Sequence, residues 1–365
     1  MEAYVQDKPA PELKPPVTQV GVIGWARNNL FNGWFNSILT ILTVLLLWKT
    51  VPPFFQWAFV DSVWTTTNEG CKEATGACWS IIYRNFRFII FGFYPYEQHW
   101  RPLLAMLILI SLLFYSRDRT HWSKYLGYGW IIGLMLMGVL MRGGIFGLEH
   151  VESTQWGGLP LTLLLSVFGL TAAYPLGVLL ALGRQSKLPG LKTVCVLYIE
   201  LIRGVPLISL LFMSSIIFPL FLPEGLTFNK ILRAQVAIIL FTGAYIAEVV
   251  RGGLQGMSRG QYEAAESMGL NYYLTMRLVI LPQALKIVIP PTVSILISAF
   301  KDTSLVVIIA LWDLLKTTQS VLSNPEWMGF SREAYIFIAI FYFLGCFSMS
   351  NYSRKLEREL SAGER

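Results

Sequence analysis

An all-α integral membrane protein of about eight transmembrane helices is the fold the sequence predicts, and three observations carry that expectation. Apolar residues make up 54% of the 365-residue chain, charged residues only 14%, and the mean hydropathy is +0.53, outside the range of ordinary soluble domains. Apolar runs approaching the roughly 20 residues needed to cross about 30 Å of hydrocarbon recur along most of its length. Lys and Arg gather in alternate connections between those runs, as cytoplasmic loops require.

The elements follow in order. Residues 1–33 are polar and carry Pro9, Pro11, Pro15 and Pro16, so a mobile cytoplasmic tail is expected there, with no cleavable signal peptide. Spans are expected near 34–52, 101–115, 126–141, 159–183, 193–221, 234–252, 281–300 and 334–351. The second is short, which leaves a seven-span or re-entrant arrangement open. Arg117, Arg119 and Lys124 follow the second span, and Arg184, Lys187 and Lys192 follow the fourth, so both connections read as cytoplasmic. Parity then places the connection 254–280, the tail 354–365 and both termini on that side, with 53–100, 142–158, 222–233 and 301–333 outside. A division near residue 155, at Trp156-Gly157-Gly158-Leu159-Pro160, separates a three-span N-terminal extension, 34–155, from a five-span core, 156–353. The net charge of +7 is spread over many loops, which fits orientation in a membrane and argues against nucleic acid as a partner.

Several chemistries are disfavoured. No Gly-x-x-x-x-Gly-Lys-Ser/Thr phosphate loop, Gly-x-Ser-x-Gly elbow or His-Glu-x-x-His helix occurs, so no catalytic residue and no cofactor is assigned to this chain. The three histidines, His99, His121 and His150, lie apart from any cysteine pair, and no metal site is expected. Cys71 and Cys78 share the first external loop, where either a disulfide or two free thiols is compatible with the sequence; a bond would add roughly 2–3 kcal/mol.

The most informative segment is Ser258-Arg259-Gly260-Gln261-Tyr262-Glu263-Ala264-Ala265-Glu266-Ser267-Met268-Gly269. It reads as a short helix with Ser258 as N-cap, Gln261 in a capping-box position and Gly269 as the left-handed terminator. Ala264, Ala265 and Met268 are expected to share one face on which another surface can approach closely, with Glu263 offering a carboxylate to a basic partner. An amphipathic helix lying on lipid is the competing reading.

Glu263-Ala264-Ala265, Gly269 and Leu281-Pro282 stand at the spacing of the EAA loop of ABC importer membrane subunits, with Val279 where the pattern usually has isoleucine. Three further stretches resemble the polar amino acid permeases: Tyr198-Ile199-Glu200-Leu201-Ile202-Arg203-Gly204-Val205-Pro206, Ala247-Glu248-Val249-Val250-Arg251-Gly252-Gly253 and Lys301-Asp302-Thr303-Ser304-Leu305. The resemblance covers about residues 157–360, the five-helix type I permease core; the extension, with Trp48-Lys49-Thr50-Val51-Pro52-Pro53, resembles the smaller permease of general L-amino-acid importers. It implies a bacterial inner-membrane subunit that carries an L-amino acid delivered by a periplasmic binding protein. A sibling permease would form the other half of the pathway, and a pair of ATP-binding subunits would hold the ATP and Mg. Glu263, Ala264, Ala265 and Gly269 become the positions that contact the ATPase, with Leu281 and Pro282 returning the loop to the membrane.

Glu200 with Arg203, and Glu248 with Arg251, stand three apart and are expected to pair on a helix face, as interfacial anchors or as walls of the pathway. Gly204 and Pro206 should break the fifth span, and Pro290 and Pro291 invite the same reading in the seventh. Lys301 and Asp302 either mark the end of the seventh span or meet a zwitterionic substrate. A self-sufficient secondary transporter or channel is the rival class, and a membrane anchor or receptor the third; the first would need buried mid-span acids for ion coupling, and such residues are scarce here.

Overall fold

The computed structural model describes residues 21–362, the side chains of 360–362 excepted. The proline-bearing stretch 1–20 and the end of the C-terminal tail, 363–365, lie outside the described residues. The chain divides into two compact units between Ser80 and Ile81.

In the first unit, α1 (Gly21–Asn29) occupies part of the segment expected to be a mobile tail. The α2 helix (Trp34–Phe55) contains Pro52 and Pro53, which remove two backbone donors, and the chain widens into a π turn over Gln56–Val60. That local adjustment lets the apolar helix run on to Val60 instead of ending near residue 52. Beyond it, α3 (Asn68–Glu73) is held by a disulfide between Cys71 and Cys78, whose Cα atoms are 5.5 Å apart. The Trp79 indole donates to the Ala58 carbonyl at 2.7 Å and stacks on Trp64.

The second unit opens one residue into α4 (Ser80–Phe91), a helix inside the segment read as an external loop, followed by α5 (Trp100–Ser116) and α6 (Lys124–Arg142). With a preceding helical turn, the second span runs from Tyr96 to Ser116 and is long enough to cross a bilayer. The expected span begins only at Arg101. That side chain is buried and donates to the carbonyls of Leu140 (2.7 Å) and Glu149 (2.9 Å) and to Gln98, so its charge sits in a protein socket and not in lipid.

Next come α7 (Gly158–Arg184), α8 (Pro189–Gly204) and α9 (Leu207–Phe212), which continues through π and 3-10 turns to Phe221. α10 (Lys230–Gln255) packs along α7. A Cβ added at Gly177 would lie 2.6 Å from Ile246 Cγ2 and 2.9 Å from the Gly243 carbonyl, so these two backbones approach closely, as small residues allow in membranes. α11 (Arg259–Ser267) and α12 (Tyr272–Leu274) lead into a π turn at Thr275–Ile280 and α13 (Leu281–Ile287). α14 (Ile289–Asp302) extends as a 3-10 segment to Ile309, and a two-residue strand, β1 (Trp312–Asp313), pairs with Gly157 and Gly158. α15 (Leu314–Leu322) and α16 (Ser331–Ala362) complete the chain. Counting α8 and α9 as one broken span, eight spans are present among the described residues.

Two expectations for the seventh span change. It starts at Ile289, because α13 is a separate helix ended at Val288; the interruption expected around Pro290 and Pro291 is present there, and the two prolines occupy the first turn of α14, where a missing amide is tolerated. Lys301 and Asp302 then lie within the apolar stretch that runs to Ile309, not at its end.

Candidate functional site

Three helices, α7, α8 and α10, meet beside α11. Glu248, on α10, is the hub: its carboxylate is bonded to Arg251 (Nε at 3.0 Å), and it lies 3.4 Å from Arg184 at the end of α7 and 3.7 Å from Arg203 on α8. Arg184 also holds Glu200 at 2.8 Å, and Arg251 reaches Gln255 Oε1 at 2.5 Å. The expected Glu248–Arg251 pair is therefore present. The expected Glu200–Arg203 pair is not: Glu200 turns to Arg184, while Arg203 turns to Glu248 and lies over the Tyr245 ring. Interhelical partners win because they join α7, α8 and α10, whereas an i,i+3 pair would satisfy α8 alone. Arg184, read from sequence only as a loop charge, is the residue that joins the two carboxylates; its position as the last residue of a long span was the available signal.

At the preceding helix break, α8 stops at Gly204, Val205 is extended, and Pro206 caps α9, bending the two halves by 105°. The expected interruption at Gly204 and Pro206 is thus a true break. One freed carbonyl, that of Arg203, accepts from the Tyr245 hydroxyl at 3.5 Å.

Below the ion cluster, Ile199, Ile246, Val250, Leu254, Met276, Ile280, Ala284 and Val288 form a buried core, and Met257, Tyr262, Val279 and Leu281 pack against it. This core ties α11 to the spans. Gln261 accepts a hydrogen bond from Gln283 Nε2 at 2.9 Å, which takes its side chain away from the expected capping box, and Ser258 makes no side-chain cap. The helix end behaves as expected: Gly269 has φ +75, its amide donates to Glu266 O at 2.9 Å, and Leu270 N donates to Ala265 O at 3.1 Å, the paired bonds of a Schellman stop.

The single small-residue face is divided. Ala265 is buried and Tyr262 half-buried, facing the body of the protein, while Glu263, Ala264 and Met268 are exposed, Met268 at 73%. A 3.6-residue period separates Ala265 from Ala264 by about 100°, so one anchors and the other is presented. Burial lifts the Tyr262 phenol above its ordinary value, with Tyr272 adding to the effect. The result is a short helix pinned on one side and bare on the other, carrying a carboxylate, a small residue and a flexible thioether outward.

Residues 173–362 match the family described as binding-protein-dependent transport system inner membrane component. The chain belongs to that family. This permease is 48% identical to the inner membrane amino-acid ABC transporter permease protein YhdY of Escherichia coli K12, over 93% of each chain. It is 39% identical to the glutamate/glutamine/aspartate/asparagine transport system permease protein BztC of Rhodobacter capsulatus, over 96% of each. Among solved structures, a crystal structure of an amino acid ABC transporter with histidines is 32% identical and covers 55% of this chain and 92% of that chain, with a TM-score of 0.49.

The remaining predicted positions of the permease sit apart from this cluster. Pro282 is exposed in the first turn of α13, and Leu281 packs on the core. Lys301 is exposed and Asp302 half-buried on α14, and neither makes an ion pair or side-chain hydrogen bond among the described residues. Sequence reasoning missed Gly253. A Cβ there would lie 2.4 Å from Val288 Cγ1 and 3.0 Å from the Ala284 carbonyl, which makes Gly253 the point where α10 touches the connection that carries α11. No group of three or more His, Cys, Asp or Glu suited to a metal occurs among the described residues.

Proposed function

We propose that this permease is the amino-acid-conducting subunit of an ATP-driven importer, forming half of the pathway with a sibling permease and receiving substrate from a periplasmic binding protein. Its coupling element is α11, with Glu263, Ala264 and Met268 meeting an ATPase subunit that holds ATP and Mg. The observation that carries the reading is the division of α11 into a pinned face and a bare one, on a segment joined through Gly253 and the buried core to α10. The naming of the relatives above as amino-acid permeases supports the substrate class.

The mechanism follows from differential coupling. ATPase closure moves the docked helix; because Gln261 and Tyr262 tie it to α13 and the core, the displacement passes to α10 and to the Glu248 cluster joining α7, α8 and α10. Two arrangements of those helix ends, one favoured by closed ATPases, suffice for alternating access. In this reading α11 and both termini are cytoplasmic, Lys301 and Asp302 are candidate contacts for a zwitterion, and the break at Gly204 and Pro206 borders the pathway.

The test is a reconstituted complex in liposomes with the substrate-loaded binding protein. Glu263→Lys or Gly269→Val is expected to reduce stimulated ATP hydrolysis and uptake together, at normal levels of assembled permease. Uptake by this chain alone, driven by an ion gradient, would instead identify a secondary transporter and end the reading.

A further inference from the structure

A cavity of about 610 Å³ opens between the ends of α7, α8 and α10 and the inner side of α11. Its polar lining is Arg184, Gln185, Lys192, Arg251, Gln255 and Tyr262, with no carboxylate among the described residues that line it. Every one of those side chains can donate a hydrogen bond, and three are cationic. Arg184 and Arg251 have carboxylate partners outside the lining, yet Glu200 and Glu248 are two acids against the four cations Arg184, Lys192, Arg203 and Arg251. Arg203 lies outside the lining, and among the described residues Lys192 is the lining cation with no carboxylate partner. Among the described residues, the side chains of Gln185, Lys192 and Tyr262 have no hydrogen-bond or ion-pair partner, so three donors remain unused there.

We propose that this cavity binds a phosphate group and that the bound anion joins the helix ends to α11. Donor-rich basic pockets between spans at a membrane surface match phosphate esters, which offer several acceptor oxygens and a charge that arginine forks hold well. Lys192 approaches from α8, Arg184 from α7, Arg251 from α10 and Tyr262 from α11, so one anion would touch all four elements. The headgroup of an anionic phospholipid and a free phosphate compound share this chemistry.

The full-length chain in neutral detergent is titrated with phosphatidylglycerol or with inorganic phosphate, with phosphatidylcholine as control, while thermal unfolding is followed by tryptophan fluorescence. Specific occupancy raises the unfolding midpoint with ligand concentration. Lys192→Gln removes an exposed cation outside the salt-bridge cluster, so the fold is retained; its apparent affinity is expected to fall roughly fivefold, and Lys192→Arg to restore it. Lys187→Gln, on the connection that leads into α8 but outside the lining, is expected to leave the affinity unchanged. Lys192-dependent stabilisation by phosphatidylglycerol alone makes the bilayer the source of the anion; the same result with inorganic phosphate makes a free phosphate compound sufficient. The proposal is overturned if neither ligand exceeds phosphatidylcholine, or if Lys187→Gln and Lys192→Gln weaken binding equally. Because no ATPase or amino acid is present, failure here leaves the transport reading standing.

Discussion

Gly252 and Gly253 are neighbours in α10, and substituting each by alanine separates helix propensity from packing. Alanine favours a helix interior by about 0.8–1.0 kcal/mol over glycine, and both sites share that gain. At Gly252 an added methyl meets nothing within 4 Å. At Gly253 it would lie 2.4 Å from Val288 Cγ1, far inside the roughly 3.5–4.0 Å of ordinary carbon contact, and 3.0 Å from the Ala284 carbonyl. Val288 has little room to yield: it is 4% exposed, its amide is bonded to Ala284 O, and its carbonyl accepts from Thr292 N. Overpacking of this kind costs about 1–3 kcal/mol. Because the propensity gain cancels between the two variants, Gly253→Ala is expected to be less stable than Gly252→Ala by that same amount, about 1–3 kcal/mol. Denaturant unfolding in detergent, read by tryptophan fluorescence, measures the difference directly. Equal stability of the two variants, or greater stability of Gly253→Ala, would refute the close contact between α10 and the Ala284–Val288 junction.

The salt-bridge cluster predicts an asymmetry: Glu248→Gln, which strips three arginines of a side chain only 24% exposed, should destabilise by about 2 kcal/mol, whereas Glu200→Gln, at a 55% exposed side chain, should cost less than about 1 kcal/mol. The same unfolding assay ranks them, and equal losses would contradict Glu248 as the hub. Asp313 is fully buried, and burial lifts its carboxyl to about 6 against the pull of the Lys316 and Leu315 amides. The folded state therefore holds its proton more tightly than the unfolded chain does. Stability should be greatest below about pH 4 for this group and decline as pH rises through about 6, by roughly 2–3 kcal/mol, a slope that Asp313→Asn should flatten. Non-reduced protein should weigh less than reduced protein by two hydrogens, and Cys71→Ser with Cys78→Ser should lower stability by about 2–3 kcal/mol; no mass change on reduction would contradict the disulfide.

Hydropathy, the alternation of basic loops and the Gly204-Val205-Pro206 interruption by themselves determined an eight-span helical membrane protein with a broken fifth span. These are properties of local chain chemistry: a bilayer demands internally bonded backbone in long apolar runs, and proline lacks the donor a helix needs. The terminator at Gly269 was legible for the same reason, since a left-handed residue with no Cβ is a local requirement. Only the tertiary structure decided what depends on neighbours distant in sequence. The carbonyl partners that let Arg101 be buried lie on another segment. Glu200 exchanged a partner three residues away for Arg184 on another helix, and Gln261 left its capping box for Gln283. Gly253 became meaningful only against Val288, and the small face of α11 divided because one side had a core to meet. Spacing along one helix fixes which residues share a face; what that face meets is set by packing between helices.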